Sequence, residues 1–252
     1  MTETPPSNAA QIASPSYVLP ALDQEFLLGD SMRGARFMLE YAKAEERLRA
    51  AAIRSTVVVF GSARVREDGP GRQRFWYEEA RAFGRVASLE GGALEPHAEG
   101  RFNVIATGGG AGLMEAANRG AFEAGAPSIG FNISLPHEQD PNPYLTPDLT
   151  FRFHYFAMRK MHLAMRASAL AVFPGGFGTV DELFEILTLV QTGKAPKLPI
   201  VLVDEDYWKK IVSFDALLEE SVIGPEDLRL FSFAKNGTEA WRALSQAGLR
   251  VP

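Results

Sequence analysis

Two glycine clusters and one arginine–glutamate combination are the parts of this 252-residue sequence whose residue types fit a chemical task. The first cluster is Thr107-Gly108-Gly109-Gly110-Ala111-Gly112-Leu113-Met114, and the second is Pro174-Gly175-Gly176-Phe177-Gly178-Thr179. Glycine lets a backbone approach an anion closely and take positive φ. A helix opening behind such a loop offers unpaired N–H groups and the positive end of its dipole. That is the composition of a phosphate cradle. Neither cluster reads G-x-G-x-x-G or G-x-x-x-x-G-K-[ST], so an ordinary dinucleotide or triphosphate site is not indicated. Each cluster, taken alone, also reads as a tight strand-to-helix turn without a ligand. Two clusters on one sheet edge favour the ligand, because three glycines in four positions cost backbone entropy.

Glu182 stands three residues after Thr179, which is the T-x-x-E spacing of a capping box. Two readings therefore stay open. Thr179 caps a helix while Glu182 reaches back to its N–H, or Glu182 meets a ribose beside the phosphate loop. In the second case it accepts hydroxyl hydrogen bonds and stabilises a developing oxocarbenium ion. Arg159, His162 and Arg166 recur at helical spacing on one face. They form a solvated basic face, or supply a guanidinium that clamps phosphate or assists a departing base. His162 reads as structural, and the neighbouring Met158, Met161 and Met165 stripe reads as core. His97, His137, His154 and His162 have no metal-ligand spacing, and neither a Ser/His/Asp order nor H-E-x-x-H occurs, so no metal is expected.

These residues need elements to hold them. Thr56–Phe60 is an apolar β-branched run that suits a central parallel strand covered on both faces. Strands are also expected at 102–106, 128–131, 149–153, 169–173 and 199–203. Helices are expected at 73–89, 112–124, 156–166, 180–191 and 207–220, with a Pro-rich loop at 135–147. This alternation predicts an α/β fold, a Rossmann-like doubly wound parallel sheet flanked by helices. Residues 1–22, rich in Pro, Ser, Thr and Ala, read as a flexible arm. Residues 23–252 read as one nucleotide-binding domain. It comprises N-terminal helices over 23–54, a motif-bearing core over 55–204 and a helical C-terminal part over 205–252. In an open parallel sheet, both glycine clusters fall where ligands bind, beyond the carboxyl ends of strands.

Bulk composition narrows the function classes. A net charge of −5 argues against nucleic acid as a partner, since phosphate neutralisation needs a clustered Lys/Arg surplus. The absence of cysteine excludes disulfides, Cys-ligated zinc, iron–sulfur clusters and thiol catalysis, and suits a reducing cytoplasm. The first ten residues, MTETPPSNAA, carry no secretory pattern, and no apolar run reaches the roughly 20 residues that span a bilayer, so no membrane partner is expected.

Five segments together resemble the LOG (Lonely Guy) family. They are Phe60-Gly61-Ser62-Ala63-Arg64, Thr107–Ala116, Leu135-Pro-His-Glu-Gln139, Met158-Arg159-Lys160 and Pro174-Gly-Gly-Phe-Gly-Thr-Val-Asp-Glu182. The match runs in family order from about residue 55 to 204, and P-G-G-x-G-T-x-x-E is highly specific. The helices before residue 55 are similar to the longer bacterial branch. The resemblance implies a cytokinin riboside 5′-monophosphate phosphoribohydrolase, often also active on AMP, that releases free base and ribose 5-phosphate without a cofactor. It assigns catalysis to Arg159 and Glu182. Phosphate and substrate binding fall to Gly61, Ser62, Thr107, Gly108, Gly109, Gly110, Gly112, Met114, Lys160, Gly175, Gly176, Gly178 and Thr179. It also implies a homodimer or a larger assembly of dimers. Similar sequences are often labelled lysine decarboxylase. That chemistry needs pyridoxal phosphate on a Schiff-base lysine, and the motif loops contain no lysine apart from Lys160. The competing class is a non-catalytic binder, such as a nucleotide sensor or a carrier of a phosphorylated cofactor. Molybdenum-cofactor carriers share this loop logic.

Overall fold

The computed structural model describes residues 7–135 and 140–252. His137 and most of the 135–139 motif lie outside the described residues. The chain forms two compact units, residues 1–43 and 44–252. In the first unit, α1 (Ala9–Ile12) is a single turn and α2 (Gln24–Leu28) is capped by Asp23, whose carboxylate accepts from the Phe26 N–H at 3.0 Å. Arg36, at the start of α3 (Arg33–Ala50), donates to the carbonyls of Leu27 at 2.9 Å and Gly29 at 2.6 Å. None of the described residues before Ala44 is buried, so this unit has no core of its own.

The second unit holds a seven-stranded sheet, every pair of which is parallel. In chain order its elements are β1 (Thr56–Phe60), α4 (Gln73–Glu90), β2 (Val104–Thr107), α5 (Leu113–Glu123), β3 (Ser128–Ile133) and β4 (Thr150–Phe153). Then follow α6 (Phe156–Met165), β5 (Ala167–Val172), α7 (Phe177–Gln191), β6 (Ile200–Val203), α8 (Glu205–Ile211), α9 (Phe214–Glu219), β7 (Ser232–Ala234) and α10 (Gly237–Gln246). The spatial order is β4-β3-β2-β1-β5-β6-β7. The chain starts in the middle, builds outward to one edge, returns through α6 to the centre, and builds outward again. Every residue of β1 is buried, because helices cover both sheet faces. Val57 and Val59 enter the layer with Tyr77, Phe83 and Trp241, whereas Val58 and Phe60 enter the opposite layer with Leu163, Leu183 and Trp208.

Two expectations need correction. The stretch over 205–252 is not wholly helical, since Ser232–Ala234 adds β7 to the sheet edge. Three residues are too few to show a period. The helix expected over 207–220 is two helices, because the chain leaves helical geometry at Val212 and the Ser213 side chain caps α9 by accepting from the Ala216 N–H. Among the described residues, no helix is long and apolar enough to cross a membrane.

Candidate functional site

A cleft of about 950 Å³ opens beyond the carboxyl ends of β1, β2, β3 and β5. Three loops meet there. The turn after β1 joins the two glycine loops: the Ser62 N–H donates to the Pro174 carbonyl at 3.1 Å, and the Ser62 carbonyl accepts from the Leu113 N–H at 3.0 Å. A Cβ on Gly61 would fall 2.7 Å from Leu113 Cβ, so only glycine lets β1 pass this close to α5.

The first glycine loop is held from inside. The Thr107 hydroxyl donates to Asn118 Oδ1 at 2.8 Å and accepts from the Gly109 N–H at 2.9 Å. The Gly109 carbonyl accepts from Asn132 Nδ2 and from the Asn142 backbone N–H, and Asn142 Nδ2 also donates to the Gly110 carbonyl. Gly109 and Gly112 have φ of 71° and 72°, in the left-handed region, and an added Cβ would strike Asn132 Oδ1 or the Ser62 carbonyl. These two glycines, with Thr107, serve loop shape and do not line the cleft. Gly108, Gly110 and Met114 do line it.

The second loop differs. α7 begins at Phe177, three residues earlier than expected, with Gly176 at its N-cap and no side-chain cap. Thr179 therefore lies within the first turn, and the capping-box reading of Thr179 and Glu182 fails. Gly175 is needed for packing, since a Cβ there would lie 2.0 Å from Thr179 Oγ1. A Cβ on Gly176 or Gly178 would meet nothing within 4 Å, and Gly176 has an ordinary φ of −89°. No protein neighbour demands glycine at either position. The first-turn N–H groups of α7 lack intrahelical acceptors by helix geometry and stand at this open space. Phe177 between them is 97% exposed.

The loop is braced by Tyr207, whose hydroxyl donates to the Gly175 carbonyl at 2.7 Å. Tyr207 is set in turn by Asp204, a buried residue with φ of 73° at the N-cap of α8. The Asp204 carboxylate accepts from the Tyr207 N–H and from Trp76 Nε1, and pairs with Arg72. Left-handed backbone at a non-glycine residue is costly, and these three partners over-determine it.

Glu182 projects from the second turn of α7 and Arg159 from α6. Arg159 Nη2 donates to Glu182 Oε1 at 2.7 Å, with only 15% and 7% of the two side chains exposed. Burial raises the Glu182 pKa above the ordinary carboxylate value, while the positive charges of Arg159 and Lys160 oppose that rise. The Arg159 guanidinium also stands 4.9 Å from the Phe156 ring centroid.

The rest of the basic face disperses. Lys160 turns away from the cleft to Asp181 at 2.7 Å and Glu185 at 2.9 Å. Burial works to lower its pKa, but these hydrogen bonds prevail and hold it above the usual value. Arg166 forms a two-pronged pair with Glu45 at 2.8 Å, tying the end of α3 to the base of β5. His162 is buried against Phe131 and Phe153, as a structural residue would be. Met165 is 47% exposed, so the methionine stripe is only partly core.

The structure thus brings Gly61, Ser62, Gly108, Gly110, Met114, Arg159, Gly175, Gly176, Gly178, Thr179 and Glu182 to one cleft. Its wall also includes Arg64, Asn132, Phe156 and Tyr207, which sequence reasoning did not single out as site residues. Arg64 carried a signal, since it ends the Phe60–Arg64 motif. Asn132 and Tyr207 reach the site through tertiary contacts that no spacing reveals.

Residues 114–244, just over half of the chain, match the model of a family described as "Possible lysine decarboxylase". Among curated proteins, the chain is 29% identical over 152 residues to cytokinin riboside 5′-monophosphate phosphoribohydrolase LOG7 of Arabidopsis thaliana, covering 59% of this chain and 68% of that one. It is 30% identical over 153 residues to the probable enzyme of the same description, LOG4, of Oryza sativa subsp. japonica, covering 59% and 65%. The alignments span about two thirds of these relatives. Among solved structures, a molybdenum cofactor binding protein from Rippkaea orientalis superposes with a TM-score of 0.51 at 18% identity, covering 77% of this chain and 97% of that one. The structural-genomics target TM1055 superposes with a TM-score of 0.53 at 22% identity, covering 76% and 99%. At such identities these two likenesses concern the fold alone. On its family match and the motifs gathered in the cleft, the chain belongs to the LOG family, the group that carries the lysine decarboxylase description.

Proposed function

We propose that the protein hydrolyses the N-glycosidic bond of a purine nucleoside 5′-monophosphate, yielding free base and ribose 5-phosphate. The observation that carries this reading is the buried Arg159–Glu182 pair beside a loop whose Gly176 and Gly178 face open space. The 5′-phosphate sits on the N–H groups of the glycine loops. The ribose then lies near Glu182, which accepts its hydroxyl hydrogen bonds, opposes the positive charge that develops as the bond to the base breaks, and orients the attacking water. Arg159 holds Glu182 and is placed to meet charge that develops on the departing base. Met114, Ile133, Leu135 and Phe156 supply apolar wall for the base, which suits adenine with or without an apolar N6 substituent. The relatives' names favour a cytokinin riboside monophosphate, and AMP is proposed beside it. A homodimer or assembly of dimers and a cytoplasmic location complete the proposal; sedimentation and fractionation test them.

Lysine decarboxylation is disfavoured by Lys160. An amine held protonated by Asp181 and Glu185, and turned from the cleft, is the opposite of a Schiff-base lysine. A non-catalytic carrier would have no use for the buried pair.

The test is to incubate the protein with AMP, isopentenyladenosine monophosphate, GMP and CMP, and to follow free base by chromatography. Base release from a purine monophosphate is expected. In parallel, Glu182→Gln should remain folded and still bind AMP while losing about 10²–10⁴ in rate. Near-full turnover by the Gln variant would remove Glu182 from the chemistry.

A further inference from the structure

Resting on that reading, we propose that Arg64 is the cation that neutralises the substrate's phosphate. Only three charged side chains line the described part of the cleft: Arg64, Arg159 and Glu182. Arg159 and Glu182 cancel each other at 2.7 Å, and Lys160 is bound by two carboxylates outside. Backbone N–H groups bind a phosphomonoester but bring no formal charge. A doubly charged phosphate therefore needs a partner that is not already spent.

Arg64 meets this need. Among the described residues its guanidinium has no ion pair, whereas nearby Arg66 and Arg72 face Asp68 and Asp204. Its backbone is fixed where the charge is wanted. The Arg64 N–H donates to Ser62 Oγ at 3.1 Å, and Ser62 itself bonds both glycine loops through its N–H and carbonyl. Val65, the next residue, is buried in the core, so the root of the side chain is anchored while its head stays exposed. A planar fork on a fixed stem is suited to two-pronged binding of phosphate oxygens.

The experiment compares wild type, Arg64→Ala and Arg64→Lys in two assays. In calorimetry with ribose 5-phosphate, wild type should bind, and the Ala variant about 10–100-fold more weakly, the range for a lost charge-assisted hydrogen bond. Lys should restore part of the loss. In turnover, the kcat/KM ratio of AMP to adenosine should fall by a similar factor in the Ala variant, because the loss falls on the phosphorylated substrate. Unchanged ribose 5-phosphate affinity in the Ala variant, or no binding by wild type, overturns the role of Arg64. If Arg64→Ala abolishes ribose 5-phosphate binding while wild type hydrolyses no nucleoside monophosphate, Arg64 stands as the phosphate ligand and the hydrolase reading falls.

Discussion

Glu182 is under two opposed demands, for burial favours its neutral form and the neighbouring cations favour its charge. The net result is a pKa above the ordinary carboxylate value, with two consequences at this one residue. If catalysis needs the ionised form, kcat/KM, which reports the free enzyme's groups, should fall tenfold per pH unit below an acid limb that lies above 4.5, the ordinary value. An acid limb at or below 4.5 would assign it to another group. The stability consequence has its own sign. A raised folded-state pKa means that folding favours the proton. That contribution is full below the unfolded value and is lost as pH rises through the folded value. Glu182→Gln cannot titrate, so its stability relative to wild type should improve with pH across that window and level off above it. Urea unfolding at a series of pH values measures the difference. The residue was legible as a candidate from P-G-G-x-G-T-x-x-E, but its role was not. T-x-x-E has the same spacing whether a helix starts after Thr179 or at Phe177, and only the observed start at Phe177 removes the cap.

At the scale of elements, the first glycine loop is only as well placed as α5, and α5 is set by its contact with α4. The two helices touch backbone to backbone. A Cβ on Gly84 would lie 2.1 Å from the Ala117 carbonyl oxygen, and one on Gly120 would lie 2.0 Å from the Arg81 carbonyl oxygen. Helix propensity alone says that Gly120→Ala should stabilise by up to about 1 kcal/mol. Here the methyl group meets main chain that cannot rotate aside, so the opposite is expected. Gly120→Ala should destabilise by about 1–3 kcal/mol, as overpacked sites do. It should also raise KM for the nucleotide by displacing the loop. A melting temperature equal to or above that of wild type would refute the close crossing. Glycines inside helices look like flaws in a sequence, because the partner helix that explains them is far along the chain. β1 was legible for the opposite reason: five buried residues in a row, four of them apolar, suffice to define a central strand. The early start of α7 was hidden because Gly175, Gly176 and Gly178 read as turn rather than helix.

Across the whole molecule, the cleft draws on segments from Phe60 to Val212, and no single stretch contains it. The sheet order explains this, since β1 and β5 lie side by side at the centre although more than a hundred residues separate them. Alternation of strand and helix made the parallel sheet legible, while the order of its strands and the convergence of Asn132 and Tyr207 required the folded chain. The exposure of Phe177 at the rim of this cleft has an optical consequence. The three tryptophans are Trp208 and Trp241, both buried, and Trp76, half-buried with its indole N–H on Asp204. The two buried indoles should emit in the blue, and none of the three tryptophans lines the cleft itself. Phe177→Trp should therefore add a separate red component from a water-exposed indole. An arriving nucleotide should quench it or shift it to the blue, and calorimetry under the same conditions reports whether AMP is bound. Bound AMP with no change in that component would place the nucleotide, its phosphate included, away from the head of α7. A fluorescent signal that follows occupancy would let each cycle of filling and release be timed by stopped flow, without any label on the nucleotide.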